Sequence, residues 1–243
     1  MEFRFDLFFR FIMDCIFYAL SFAFFEILFL HTDTLAGWQH HEVVFFVAGG
    51  LILDAVFMTF IARNIWDIPR LINKGELDFL LIRPVPTLFL MMSRHFELSS
   101  FLNLLVSFGV LIFGTTLFPD PLSMSAWFGW LLFLLNGMLL MVCLRMFTVL
   151  PVFWTHSNFG FHMLFMSLEQ VTERPEVIFR GVSHVIFTTV FPFLVMTSFP
   201  ARWVFGSLSS FECLYALMLS ACFWLFTRYV WQRGLRVYSS ASS

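Results

Sequence analysis

The chain has 243 residues, of which 60% are hydrophobic and only 12% charged, and its mean hydropathy is +0.86. A soluble domain carries roughly 25% charged residues, so half that fraction excludes a water-solvated globule and makes lipid the solvent. A net charge of −2 with no basic stripe gives nucleic acid no footing, and the length holds about six short-looped spans but no ATPase domain.

Taken in order, residues 1–10 read as a short amphipathic lead-in with no cleavable leader. A first span is expected over about 11–30, which at 1.5 Å per residue gives about 30 Å of helix. A polar turn with Gly37 and Trp38 leads to a second span over about 43–62. Residues 63–86 follow as a charged, proline-bounded loop. Within it Asp67 or Asn64 suits a helix cap and Pro69 fits a first turn. Gly75 suits a left-handed turn. Glu76 and Asp78 then open a second short helix that shows Leu77, Leu80 and Leu81 on one side, and Pro84 stops it. On the residues alone the loop reads slightly more readily as a solvated connector between spans than as two amphipathic helices docking on a partner.

A third span over about 96–118 ends at Pro119-Asp120-Pro121, and a fourth over about 127–150 ends at Pro151. In the stretch 156–180, Phe161, Leu164, Phe165 and Leu168 recur at helical spacing while His162, Glu169 and Glu173 face elsewhere, which predicts an interfacial amphipathic helix. A short fifth span over about 182–198 carries Pro192 as a kink. An apolar outer segment, Phe199 to Ser210, precedes the sixth span over about 211–230. With the N-terminus inside, every basic residue except Arg202 falls in a cytoplasmic loop or at a cytoplasmic span end, so both termini are cytoplasmic by the positive-inside rule. The expected fold is a single all-α polytopic membrane domain over 1–243, with six transmembrane helices and short amphipathic cytoplasmic helices.

Charges inside spans usually face protein or water, because insertion at mid-bilayer costs about 2.5–3.5 kcal/mol each. Glu26, Asp54 and Arg145 are such residues, and the comparable depth of Asp54 and Arg145 predicts an ion pair, with a substrate role as the alternative. Ser99, Asn103 and Ser107, continued by Gly114, make a small polar stripe on the third span that packs on another helix or lines a path. Asn136 on the fourth span has the same two readings.

No catalytic or metal constellation emerges. His40-His41-Glu42 is not HExxH, and there is no G-x-S-x-G, Walker A or GxGxxG. The sole lysine, Lys74, lies in the loop. The four cysteines sit in apolar runs without CxxC spacing and read as reduced thiols. A membrane enzyme built from Glu26, Asp54 and His184, or a non-transporting scaffold, remains as an alternative without supporting spacing.

Ile72-x-x-Gly75-Glu-Leu-Asp78-x-Leu80-Leu81-x-Arg83-Pro84 resembles the cytoplasmic loop signature of a branch of type-2 ABC permeases, the membrane subunits of bacterial ATP-driven exporters. Trp231 to Ser243 resembles that branch's C-terminus, as does the proline pair in Phe191-Pro192-Phe and Phe199-Pro200-Ala201. The outer segment Phe199 to Gly206 resembles its partly re-entrant outer region, with an aromatic interface belt as the other reading. The resemblance implies that 63–86 is the coupling loop, with Leu71, Gly75, Glu76, Leu77, Asp78, Leu81, Arg83 and Pro84 meeting a separate ATP-binding cassette ATPase. It also implies a second permease chain, a heterodimer rather than a homodimer, in the bacterial inner membrane. ATP and magnesium would sit on the ATPase, leaving no cofactor in this chain.

Overall fold

The computed structural model describes residues 2–35 and 37–238, with side chains for residues 8, 9 and 11 onward. The first residue of the lead-in, the charges of Arg4 and Arg10, and positions 239–243 of the C-terminal motif lie outside the described part. Among the described residues helix is the sole regular structure, apart from a one-pair bridge between Leu35 and Trp38.

The helices are α1 (Glu2–Phe29), α2 (His40–Phe57), α3 (Arg63–Trp66), α4 (Ile68–Asn73), α5 (Asp78–Leu81), α6 (Thr87–Met92), α7 (Leu98–Thr116), α8 (Met124–Val149), α9 (Val152–Thr155), α10 (Phe159–Glu169), α11 (Val182–Val185), α12 (Phe193–Val204) and α13 (Ser210–Val237). Five stretches are long and apolar enough to cross a membrane: Phe11–Phe29, His40–Asn73, Leu98–Thr116, Met124–Thr155 and Ser210–Val237. The lead-in is thus not a separate element but the first turns of α1.

The second span does not stop at Ala62. A π-helical turn, Met58–Ala62, joins α2 to α3, and the helical run continues for 34 residues to Asn73. Glu42 caps its start, accepting a 2.7 Å bond from the Gln39 backbone N–H, which satisfies one of the helix's orphan donors. Wholly buried Val43, Phe45, Ala48, Ala55 and Phe57 make α2 the centre of the core.

On α7 the buried residues are Ser99, Asn103, Ser107, Leu111 and Gly114. This is the small polar stripe, and it packs against α2 and α1. Small side chains let helix backbones approach closely where no hydrophobic effect drives association.

Contacts along the chain fix what happens between α8 and α13. Asn73 donates a 2.9 Å bond to the His156 carbonyl, and Phe153 stacks edge-on against Trp231 at 5.4 Å. Residues 63–97, 150–158 and the last turns of α13 therefore share one end of the bundle, the elbow end. Further along, Glu169 meets Arg145, and Glu176 then meets Arg202 at 3.0 Å, which in turn meets Glu212 in the first turn of α13. The segment starting at α10 thus climbs from the elbow end to the opposite end. The 11 residues of α10 and the four of the following 3₁₀ turn rise about 24 Å. Residues 156–180 therefore run from one end of the bundle toward the other, the fifth such crossing of the bundle by the chain.

The span expected over 182–198, with its kink at Pro192, is broken there into a hairpin-like pair of helices. Residues 182–190 and 193–204 are two helices bent by 93° at Pro192. Pro192 provides no N–H to continue a ladder, and its ring forces the preceding residue out of helical geometry. Both roots of the hairpin touch the same carboxylate: His184 on the first limb and Arg202 on the second each lie 3.0 Å from Glu176. The two limbs therefore start and finish near one another, beside Glu176. The second limb is enclosed over 193–201, with Phe193, Leu194, Val195 and Met196 at 0% exposure, and it lies along α8 at Gly137. A Cβ there would fall on the Met196 carbonyl oxygen and 3.0 Å from its Cα. Arg174 and Arg180 flank Glu176 along this path, Arg174 in the wall of the groove described below.

Candidate functional site: an elbow and a charged groove

The elbow begins where α4 ends. Gly75 takes φ +71, the left-handed geometry that a side chain would strain. Its N–H bonds the Ile72 carbonyl at 3.2 Å, and the Leu77 N–H reaches back to the Leu71 carbonyl at 3.1 Å. The chain reverses and Leu77 lands on Leu71, both excluded from solvent at 0% and 2%. Glu76 closes the turn on Arg70 at 2.8 Å, while Asp78 opens α5, where a helix N-terminus favours an acid.

Tyr238, just beyond α13, packs against this turn; burial first, and then the Asp78 carboxylate, push its phenol above the usual range. Arg83 and Pro84 are exposed. The expectation that Leu71 and Leu77 present an apolar contact to a partner is corrected, because both hold the elbow to its own core. The outward apolar groups are Phe79 (68% exposed), Leu81 (39%) and Ile82 (81%).

Beside the core runs a partly open groove of about 1330 Å³, walled by α1, α2, the start of α7 and residues 166–174. Among its polar walls are Asp14, Tyr18, Asp54, Asn103, Arg145 and Glu169. The Tyr18 hydroxyl donates to Asp54 at 3.1 Å, and the Asn103 amide donates to Asp14. Arg145 donates to Glu169 and lies over the rings of Phe57 and Phe165, at 5.5 and 5.0 Å. The expected Asp54–Arg145 pair is therefore not formed; the arginine's partner comes from the fifth crossing. Three buried polar atoms facing this region lack a hydrogen-bond partner within the protein: Asn103 Oδ1, Arg145 Nε and Glu169 Oε1. A buried polar atom left unpaired costs about 1–3 kcal/mol, so such atoms mark a place where water or a passing solute completes the set.

Two further candidates stand apart from the groove. Glu26 pairs with His40 Nε2 at 2.8 Å across the turn between α1 and α2. Asn136 is buried on α8 with its amide nitrogen unpaired.

Residue-type reasoning missed Asp14, Tyr18 and Glu169, and it also missed Asn64, whose side chain makes four hydrogen bonds at the base of the elbow. A signal for Glu169 was present: it stands four residues after Phe165, on the same helical face, and Phe165 is buried. Asp14 and Tyr18 are likewise four apart on α1, facing the groove. Phe79 and Ile82 were passed over because the leucines dominated the reading of α5.

A helical bundle with five to six helical stretches able to cross a membrane, a charged groove among its helices and a structured polar elbow belongs to the multi-pass membrane proteins. A family model described as ABC-2 family transporter protein matches residues 15–242, and the chain belongs to that family. It is a permease-type membrane component of an ABC transporter, not itself catalytic, and its family implies an ATP-binding cassette ATPase as partner. Comparison with curated proteins and with solved structures gave no match.

Proposed function

We propose that this chain is one half of an ATP-driven exporter of the bacterial cytoplasmic membrane. In this reading α1, α2 and the fifth crossing line half of the substrate path, and a second, different permease chain closes the open side of the groove. A separate ATPase, which alone carries ATP and magnesium, rests on the elbow. Phe79, Leu81 and Ile82 provide its apolar contact, Arg83 lies beside them, and Gly75 and Pro84 set where α5 begins and ends. Leu71, Leu77, Glu76 and Asp78 keep the turn stiff, so closure of the nucleotide-bound ATPases moves α4 and α5 as one piece.

The observation that carries the reading is the groove. In a chain with so few charges, a cavity of this size with Asp14, Asp54, Arg145 and Glu169 in its walls is costly to keep in lipid unless something polar occupies it. The elbow lies at one end of the same helices, so force and path share a framework.

The test uses single cysteines at Ile82 and Phe79 in native membranes, with a far-end cysteine at Met124 as control. Crosslinking should capture an ATP-binding subunit from the first two positions and not from the third, and its ATP turnover should change when it is reconstituted with this chain. Capture from Met124 alone, or an ATPase indifferent to the chain's presence, would refute the assignment.

A further inference from the structure

Where α2 gives way to the elbow, the helix widens into the π turn Met58–Ala62. Such a turn displaces the usual backbone ladder and leaves carbonyls available to other donors. Two of them are taken. The Thr59 carbonyl accepts the Glu97 N–H at 3.0 Å, which ties the turn to the residue just before α7. The Phe60 carbonyl accepts from the Asn64 side-chain amide at 2.8 Å.

That amide is the centre of the joint. Asn64 is 2% exposed. Its nitrogen also donates to the carbonyls of Met92 at 2.9 Å and His95 at 3.0 Å, and its oxygen accepts the His95 N–H at 2.8 Å. The two amide hydrogens serve three acceptors, one of them shared, and the oxygen is occupied as well. No other residue type matches this set. Aspartate keeps the acceptor and loses every donor, and leucine fills the space but bonds nothing. Met92 closes α6, so its carbonyl would otherwise be one of that helix's unsatisfied ends. The outer strap between Arg63 and Glu97, at 3.4 Å and largely exposed, adds little.

We infer that Asn64 is the positioning residue that converts elbow movement into movement of the groove. It joins the outgoing and returning ends of the elbow, so residues 64–95 form a closed loop with no slack at its base. A displacement of α5 then has to be carried into α2 and α7 together. Both helices wall the groove, through Asp54 and Asn103 among others. With the clamp cut, the elbow swings on a loosened base while α2 and α7 stay still. The inference rests on the elbow being the ATPase's seat, as proposed above.

The experiment uses the complex of this chain, the second permease and the ATPase in lipid vesicles, with the four native cysteines replaced by serine and one cysteine placed at Ser100 in the groove wall. The probe is a water-soluble maleimide, and its modification rate is measured with and without ATP and magnesium. With Asn64 intact the rate changes by about fivefold or more, the lower edge of usual coupling factors. In Asn64→Leu and Asn64→Asp the nucleotide-dependent change falls to within about twofold, while ATPase co-purification and ATP turnover persist. A change of undiminished size in both variants overturns the clamp. Loss of ATPase binding in both overturns it too, because Asn64 would then only build the docking surface. If Asn64→Leu fails to assemble, Asn64→Asp carries the same readouts. If the unaltered chain binds no ATPase, it is the seat on the elbow that fails, which separates that outcome from the others.

Discussion

Replacing Arg145 with methionine would separate the observed partnership from the one expected of the sequence. The arginine side chain is 4% exposed and Glu169 is 15% exposed. Breaking a buried pair by removing one member costs roughly 3–5 kcal/mol, because the other charge is stranded. Glu169 borders the groove, where water reaches part of it, so the lower end of that range applies. For a chain of this size each kcal/mol moves Tm by about 2–4 °C, so Arg145→Met should lower it by about 6–12 °C. Adding Glu169→Gln removes the stranded charge and should recover about 3–6 °C of that loss, whereas adding Asp54→Asn should recover clearly less, since Asp54 shares the groove with Arg145 and Glu169 but bonds neither of them. The assay is thermal unfolding of the purified chain in lipid nanodiscs, followed by tryptophan fluorescence. Rescue by Asp54→Asn but not by Glu169→Gln would reinstate the Asp54–Arg145 pair and refute the assignment made from the contacts.

Gly137→Ala pushes α12 off α8 and should destabilise the chain by about 1–3 kcal/mol despite alanine's better helix propensity. Gly109→Ala on α7, where a Cβ meets nothing within 4 Å, should leave stability unchanged or raise it by up to about 1 kcal/mol; parallel melts of the two variants decide, and equal Tm values would sink the packing argument. Arg202→Met unties the hairpin from both Glu176 and Glu212, so amide hydrogen exchange over 193–201 should quicken by about tenfold or more, equivalent to about 1.4 kcal/mol of lost local stability. Unchanged exchange there would mean that burial alone holds the limb.

Much of this architecture is legible in the residues. The left-handed turn at Gly75, the short helix begun by Asp78 and ended before Pro84, and the packing stripe of Ser99, Asn103 and Ser107 follow from backbone preferences and helical spacing, which are local. What the sequence hides is pairing between distant segments. Depth along the spans offered Arg145 only Asp54; the ascent of the fifth crossing brings Glu169 to it instead. That ascent was hidden because α10 is too short to register as a span, while the hairpin that follows is apolar enough to pass for one. A proline such as Pro192 reads as a kink or a reversal with equal ease, and the carboxylate that settles the matter, Glu176, lies 16 residues earlier. The leucines of the elbow were misdirected for a related reason: periodicity says which residues share a face but not whether that face turns inward.

The helical run from His40 to Asn73 has a mechanical consequence. Its 34 residues measure about 51 Å at 1.5 Å each, against a hydrocarbon layer of about 30 Å. Roughly 20 Å of its length is thus in excess of that layer, and in the proposed reading the excess lies at the elbow end as a lever. Were the elbow driven as proposed above, a push on that tip would swing the opposite end, around Phe46 and Val47, in the contrary direction, so a groove pressed shut beside the elbow would be prised open at its far mouth by the same stroke.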